Sequence, residues 1–294
     1  MRHISVLLQE TIETLAPKEG DTVLDCTFNR AGHSVELAKK IGKSGTLIGF
    51  DLDHVALQEG EAILKKELGA NLPQVILCET NFRRVAEVLQ DKRVQNVDVL
   101  LADLGISSQE LDISGRGFTF QKDEPLQMTL SSREDSLITA YTVVNEWAQE
   151  TLVEILRAFS DESYAGRIAR HIIEAREIKP ITTTKELADI VYHAVPVAYK
   201  RGKIHPATKT FQAIRMAVND EVGALQELLL SLPGVITKGG RVGFISFHSV
   251  EDRLVKNYFR DHKDEWQVVT KKPIIPSQKE EKENPRSRSA KLRV

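Results

Sequence analysis

The stretch "VLDCTFNRAGHS", residues 23–34, combines residue types that could hold a ligand. A short apolar run ends in Asp25, a turn carrying Gly32 follows, and His33-Ser34 reads as the start of a helix. A helix start offers unpaired N–H groups, and a glycine lets the backbone approach a ligand closely. The next apolar run, "GTLIGFDLD", reaches Asp51, at the ~20-residue interval expected of an acid that accepts hydrogen bonds from ribose hydroxyls. A later run, "VDVLLADLG", ends at Asp103. Acids at the ends of successive parallel strands face the crevice where an open sheet binds its ligand.

The elements that must position these groups follow from the apolar rhythm. Strands are expected over 22–28, 45–53, 74–80 and 97–105, with helices over 33–42, 55–68 and 83–91 between them. That alternation predicts a doubly wound α/β sheet of Rossmann type, buried on both faces. The rhythm stops after residue 105, and helical patterns such as "EWAQETLVEILRAF" and "GRIARHIIEARE" take over. We expect an inserted, mostly helical domain over 108–209, with 1–107 and 210–294 forming the sheet domain. The sheet resumes at "RVGFISF" (241–247), with a helix near 250–262 and a last strand around "WQVVTK". The end, "PSQKEEKENPRSRSAKLRV", is so charged that composition alone predicts disorder.

Bulk properties exclude several classes. The 294 residues carry a net charge of −2, so no global basic field exists and any nucleic-acid contact must come from local patches. Cys26 and Cys78 show neither metal spacing nor a disulfide framework, and no metal is expected. The start, "MRHISVLLQETIETL", is interrupted by Glu10 and Glu13, so neither a leader nor a membrane span is expected, and a cytoplasmic protein is the default.

Local basic patches do exist. "YKRGKIHPATK" carries Lys200, Arg201, Lys203 and Lys209 with no acid, and Arg167 and Arg170 stand three apart on one expected helix. Both sets suit phosphate contacts. His205, before a proline, reads either as a loop residue or as part of a site. His248 follows a strand end on the crevice side and is a candidate site residue.

NAD, FAD and S-adenosylmethionine all use the strand–turn–helix layout. The pattern "LPGVITKGGRVGFIS" favours the last, since helix, glycine turn and late strand follow in this way in adenosylmethionine-dependent methyltransferases. Longer motifs make the likeness specific: "HISVLLQETIETL", "DLGISSQELD", "RGFTF", "GRIARHI", "HPATKTFQAIRMAVNDE", "SFHSVEDRLVK" and "NPRSRSAKLRV". From residue 3 to the end, in order, the chain resembles the bacterial 16S rRNA cytosine-N(4) methyltransferase family of the H type (RsmH/MraW). The resemblance implies a class I methyltransferase sheet that binds S-adenosyl-L-methionine, and an inserted domain that grips RNA. It also implies methylation of a cytosine in the decoding region of 16S rRNA, within the small ribosomal subunit. Carried over by position, Ala31, Gly32 and His33 would hold the cofactor, with Asp51 at the ribose, Phe82 near the adenine, Asp103 near the methionine part, and Glu110 closing the pocket. Asp103 and His248 would serve catalysis, and the terminal segment would fold back towards the site. A homodimer stays open.

The chain departs from the family pattern at three places. Asn29 and Ala31 replace two loop glycines; Asn29 tolerates positive φ, whereas Ala31 adds a methyl group at a close approach. Glu110 stands where glutamine is usual. "DEPLQMTLS" (123–131) has lost two acids and an arginine at Gln127, Ser131 and Thr129. An active methyltransferase is the first reading, and a degenerate paralogue that binds RNA without methylating it is the alternative. A nicotinamide oxidoreductase is a distant third, because it leaves the other motifs unexplained.

Overall fold

The computed structural model describes residues 5–105, 115–131 and 138–294. The chain forms two compact units, Met1–Gly105 with Val222–Val294, and Ile106–Glu221. The first begins with α1 (Leu8–Leu15), β1 (Thr22–Asp25), α2 (Gly32–Ile41), β2 (Thr46–Asp51) and α3 (His54–Leu68). It continues with β3 (Gln74–Glu79), α4 (Val85–Asp91) and β4 (Val97–Asp103). The second contains α5 (Ala140–Glu146), α6 (Gln149–Ser160), α7 (Ala165–Ile178), α8 (Thr184–Ala194), α9 (Val197–Lys200) and α10 (Ala207–Val218). Then come α11 (Glu221–Val235), β5 (Ile236–Ser246), α12 (Ser249–Asp261), α13 (Gln278–Glu283) and β6 (Lys291–Arg293).

The sheet runs β3-β2-β1-β4-β5-β6, parallel except for β6. Successive side chains alternate between its faces. Val23, Leu47, Val99 and Leu101 pack with Leu37, Ile41 and Leu64 on one side. Leu24, Ile48, Phe50 and Leu100 pack with Val88, Leu228 and Leu232 on the other. Helices therefore cover both faces, and each fully buried Leu or Phe contributes ~1.5–3 kcal/mol. This is the doubly wound α/β sheet that the rhythm predicts. Strand order reverses between β1 and β4, which places the ligand crevice at their carboxyl ends.

The last strand is a correction. Residues 266–270 form no strand, and Val268 and Val269 are half exposed. The antiparallel edge is made by Lys291–Arg293 instead, where Leu292 is fully buried and Arg293 binds Asp252 through both oxygens at 2.7 and 3.3 Å. Asp252 also accepts Lys291 Nζ at 3.2 Å. Composition fails here because a few buried groups and one bidentate ion pair fix an otherwise polar segment.

In the second unit, Phe211, Ala213 and Ile214 of α10 bury among Leu152, Ile155 and Ile168, so this helix packs with the helical unit. The boundary expected after residue 209 thus falls after Glu221. The divergent segment 123–131 is held by its backbone. The Arg116 guanidinium donates to the carbonyls of Thr129 and Leu130 at 2.8 and 3.0 Å. The Asn219 amide donates to the Met128 carbonyl at 2.7 Å and accepts the Leu130 N–H at 2.8 Å. None of these contacts uses the side chains of Gln127, Thr129 or Ser131.

Candidate active site

Four parallel strands of the first unit end in carboxylates: Asp25 on β1, Asp51 on β2, Glu79 on β3 and Asp103 on β4. The turn after β1 is pinned to both neighbouring strands. Cys26 N–H donates to the Leu101 carbonyl and Phe28 N–H to the Phe50 carbonyl, both at 2.8 Å. Phe28 is buried beneath the loop, against Gly49 of β2 and Gly60 of α3; a Cβ at either would come within 2.5 Å of its ring. Those two glycines let the ring sit under the loop, and sequence reasoning overlooked them because their role is defined only by Phe28.

Asn29 and Ala31 both adopt left-handed backbone, with φ of 48° and 59°. The turn therefore keeps its glycine-type geometry after the glycines are lost. Asn accommodates it readily, whereas for Ala the left-handed region costs about 1–2 kcal/mol. Ala31 caps α2 without a side-chain hydrogen bond, so the N-cap residue itself does not occupy the helix's first N–H groups. Gly32 has a second reason to be glycine: a Cβ there would collide with Ser5 Oγ of the N-terminal segment.

Asp51 holds the loop as well as facing the crevice. Its Oδ2 accepts Asn29 N–H at 2.6 Å and its Oδ1 accepts Asp53 N–H at 2.9 Å. Phe82 opens a short 3-10 turn beyond β3, capped by the Asn81 side chain, which accepts Arg83 N–H at 3.0 Å. Thr80 N–H donates to the Asp51 carbonyl at 2.9 Å, which ties this turn to the end of β2. His33 is buried, with Nε2 2.9 Å from the Val6 carbonyl and Nδ1 3.6 Å from Asp103 Oδ2. His33 thus lies between the Val6 carbonyl and the Asp103 carboxyl group. The ring props Asp103 against the N-terminal segment.

Asp103 stands out electrostatically. Its Oδ1 is buried with no hydrogen-bond partner among the described residues. Burial, and then the carboxylates of Asp25 and Glu251, push its pKa well above the ordinary carboxyl range. Its own N–H donates to Thr27 Oγ1 at 2.7 Å, and Thr27 N–H donates to Asp25 Oδ1 at 3.1 Å. Asp25 is buried too, accepts Ser34 Oγ at 2.7 Å, and has its pKa raised by desolvation against the pull of those donors. Asp25, Thr27 and Ser34 thus knit β1, the loop and α2 to the end of β4. Their signal was legible only as "an acid ending a strand". Their partners were not.

His248 N-caps α12: its Nδ1 accepts Glu251 N–H at 3.4 Å. Glu251 is buried, its Oε2 accepts Phe247 N–H at 2.9 Å, and its Oε1 lies 2.9 Å from His248 Nε2. That last contact is off the donor direction, so it is electrostatic rather than a hydrogen bond. Glu110 lies outside the described residues.

In the second unit, Arg167 and Arg170 are exposed on α7, and Arg170 pairs with Glu174 at 3.5 Å. Lys209 donates to the Asp161 carbonyl at 2.9 Å, capping α6, and Lys200 lies over the Tyr192 ring. Arg201 and Lys203 are exposed and make no ion pair among the described residues.

A 3-2-1-4-5 parallel sheet, a tight turn and helix start after β1, and carboxylates at the ends of β1, β2 and β4 make a Rossmann-like fold of the class I methyltransferase type, in a layout that nicotinamide-binding domains share. A model of the MraW methylase family matches residues 1–294, and the chain belongs to that family. It is 42% identical to "Ribosomal RNA small subunit methyltransferase H" of Acetivibrio thermocellus, over 100% of this chain and 98% of that protein. It is 40% identical to the protein of the same name from Clostridioides difficile, over 99% and 97%. The cofactor is S-adenosyl-L-methionine. The residues present fit it: an acid ends β2, the N-cap of α2 brings no side-chain hydrogen bond, and a buried carboxylate oxygen of Asp103 has no partner among the described residues. No described helix is long and apolar enough to cross a membrane.

Proposed function

We propose that this protein methylates the exocyclic N(4) amine of a cytosine in the decoding region of 16S rRNA, acting on the small ribosomal subunit in the cytoplasm. The observation that carries the reading is the Oδ1 of Asp103 at the end of β4, buried and without a hydrogen-bond partner among the described residues. S-adenosylmethionine, when bound, supplies an electrophilic methyl group on a sulfonium. Asp51 would accept the ribose hydroxyls, the loop from Ala31 to His33 would present N–H groups to the cofactor, and Phe82 would serve the adenine. The cytosine amine is a weak nucleophile because its lone pair is delocalised into the ring. Asp103 accepts an amine hydrogen, orients the nitrogen at ~3–3.5 Å from its target, and takes up the proton released. In its ionised form, the burial that raises its pKa makes it a stronger base than an ordinary carboxylate. His248 and Glu251 act behind it, by fixing the start of α12. The helical unit grips RNA, with Arg167, Arg170, Lys200, Arg201, Lys203 and Lys209 as phosphate contacts, and the target base must be splayed out of any duplex.

The alternative, a degenerate paralogue, shares this fold, since segment 123–131 is held by backbone contacts that do not need the departed side chains, and differs only in methyl transfer. The test is transfer of a radiolabelled methyl group to small subunits from cells lacking the protein, followed by nuclease digestion. The label is expected in N(4)-methylated cytidine. Cofactor binding without transfer would establish the paralogue instead.

A further inference from the structure

We infer that the helical unit carries a stacking shelf for an unpaired RNA base, built from Tyr192, His205 and Phe120 and edged by Lys200, Arg201 and Lys203. The inference rests on the reading that the substrate is RNA, and adds where a base outside the methyl-transfer pocket is held. Tyr192 of α8 is 40% exposed. Its ring lies 20° from parallel to that of exposed His205, with centroids 6.0 Å apart. His205 in turn lies 4.7 Å from Phe120, which is anchored edge-on to Phe211 at 5.0 Å. The array therefore grows from the core outward to solvent, in three steps.

Two further contacts fix the outer rings. His205 Nδ1 accepts Ala207 N–H at 3.2 Å, which holds the imidazole plane at the start of α10. Lys200 Nζ sits 4.3 Å from the Tyr192 centroid. At an exposed site that cation–π contact is weak, so a base can displace the ammonium towards its own phosphate. Arg201 and Lys203 follow directly and pair with no described acid. Nearby, Asp189 is exposed one turn before Tyr192, while the buried Glu162 is occupied by the Tyr199 hydroxyl at 2.7 Å. Exposed rings interleaved with unpaired cations match single-stranded nucleic acid, whose bases stack while its phosphates meet the charges. An acidic peptide would use the cations but not the rings.

The test is fluorescence anisotropy of the full chain with a short fluorescein-labelled oligocytidylate, and with the same oligonucleotide made abasic. Tyr192→Ala should weaken oligocytidylate binding roughly 5- to 100-fold with an unchanged salt slope, and Tyr192→Phe should bind as wild type. Lys203→Ala should instead lower the slope by about 0.7. Abasic RNA should bind wild type more weakly and ignore Tyr192→Ala. Equal binding of both oligonucleotides, or an unaffected Tyr192→Ala, would overturn the shelf, as would an equal loss on an acidic peptide. If small subunits are still methylated in that case, the function stands without the shelf. If wild type neither binds RNA nor transfers methyl, the function itself fails.

Discussion

The carboxylate of Asp51 accepts the backbone N–H of Asn29 at 2.6 Å, bridging 22 residues from the end of β2 to the turn after β1. The side chain proposed to hold the ribose is therefore also a clamp on the loop beneath the cofactor. Asp51→Ala should weaken cofactor binding by about 1–3 kcal/mol through loss of a charged acceptor, and should lower the melting temperature as well. Calorimetric titration together with thermal melting checks both. A melting loss without an affinity loss would show the ribose to be held elsewhere.

Ala31 occupies a left-handed conformation that glycine adopts freely. Ala31→Gly should relieve about 1–2 kcal/mol of strain and give back part of it through greater freedom of the unfolded chain. The expected result is a neutral to mildly stabilised protein with equal or tighter cofactor binding. A clear destabilisation in urea unfolding would mean that the buried methyl group contributes more packing than its backbone costs.

Gly60 lies in the interior of α3, where replacement by Ala ordinarily gains ~1 kcal/mol of helix propensity. Here a Cβ would sit 2.5 Å from the Phe28 ring and 3.1 Å from the Ala31 nitrogen and Asn29 oxygen. Gly60→Ala should therefore destabilise the protein and weaken cofactor binding by displacing the loop. Stabilisation with unchanged affinity would show that α3 does not support the turn.

Asp103 and Asp25 both hold their protons to higher pH than in the unfolded chain, first because they are buried. The folded chain then holds more protons than the unfolded one above the ordinary carboxyl range, so stability falls as pH rises and the loss is complete, and stays, once pH passes their raised folded values. Asp103→Asn should abolish methyl transfer yet raise the melting temperature near neutral pH, with a flatter dependence on pH. At ~2–4 °C per kcal/mol the gain is measurable by calorimetry across a pH series. Unimpaired transfer by Asp103→Asn would remove Asp103 from the chemistry.

Asp252 titrates the other way. Burial opposes its charge, but the hydrogen bonds and charges of Arg293 and Lys291 outweigh it and hold its pKa below the ordinary range. Its contribution is present above the unfolded carboxyl pKa and fades as pH falls through the depressed folded value. Asp252→Asn should cost about 1–3 kcal/mol at neutral pH and release the C-terminal strand, read as faster amide exchange at Leu292. An unaltered exchange rate would show that the burial of Leu292 suffices.

The sequence by itself determined the parallel strands, the helices between them, the acids that end β1, β2 and β4, and the need for left-handed backbone near Asn29. These are local properties: a buried parallel strand reads as an apolar run, and the chain leaves it at the crevice. Only the tertiary structure decided which of those acids are paired and which is orphaned. The partners lie far apart in sequence, as with Thr27 and Asp103 at a separation of 76 or Leu7 and Glu280 at 273. It also decided that the charged C-terminal segment supplies the last strand, that His248 caps a helix and that His33 is a buried prop. In each case the outcome depends on burial and on donors from distant segments, which folding alone brings together.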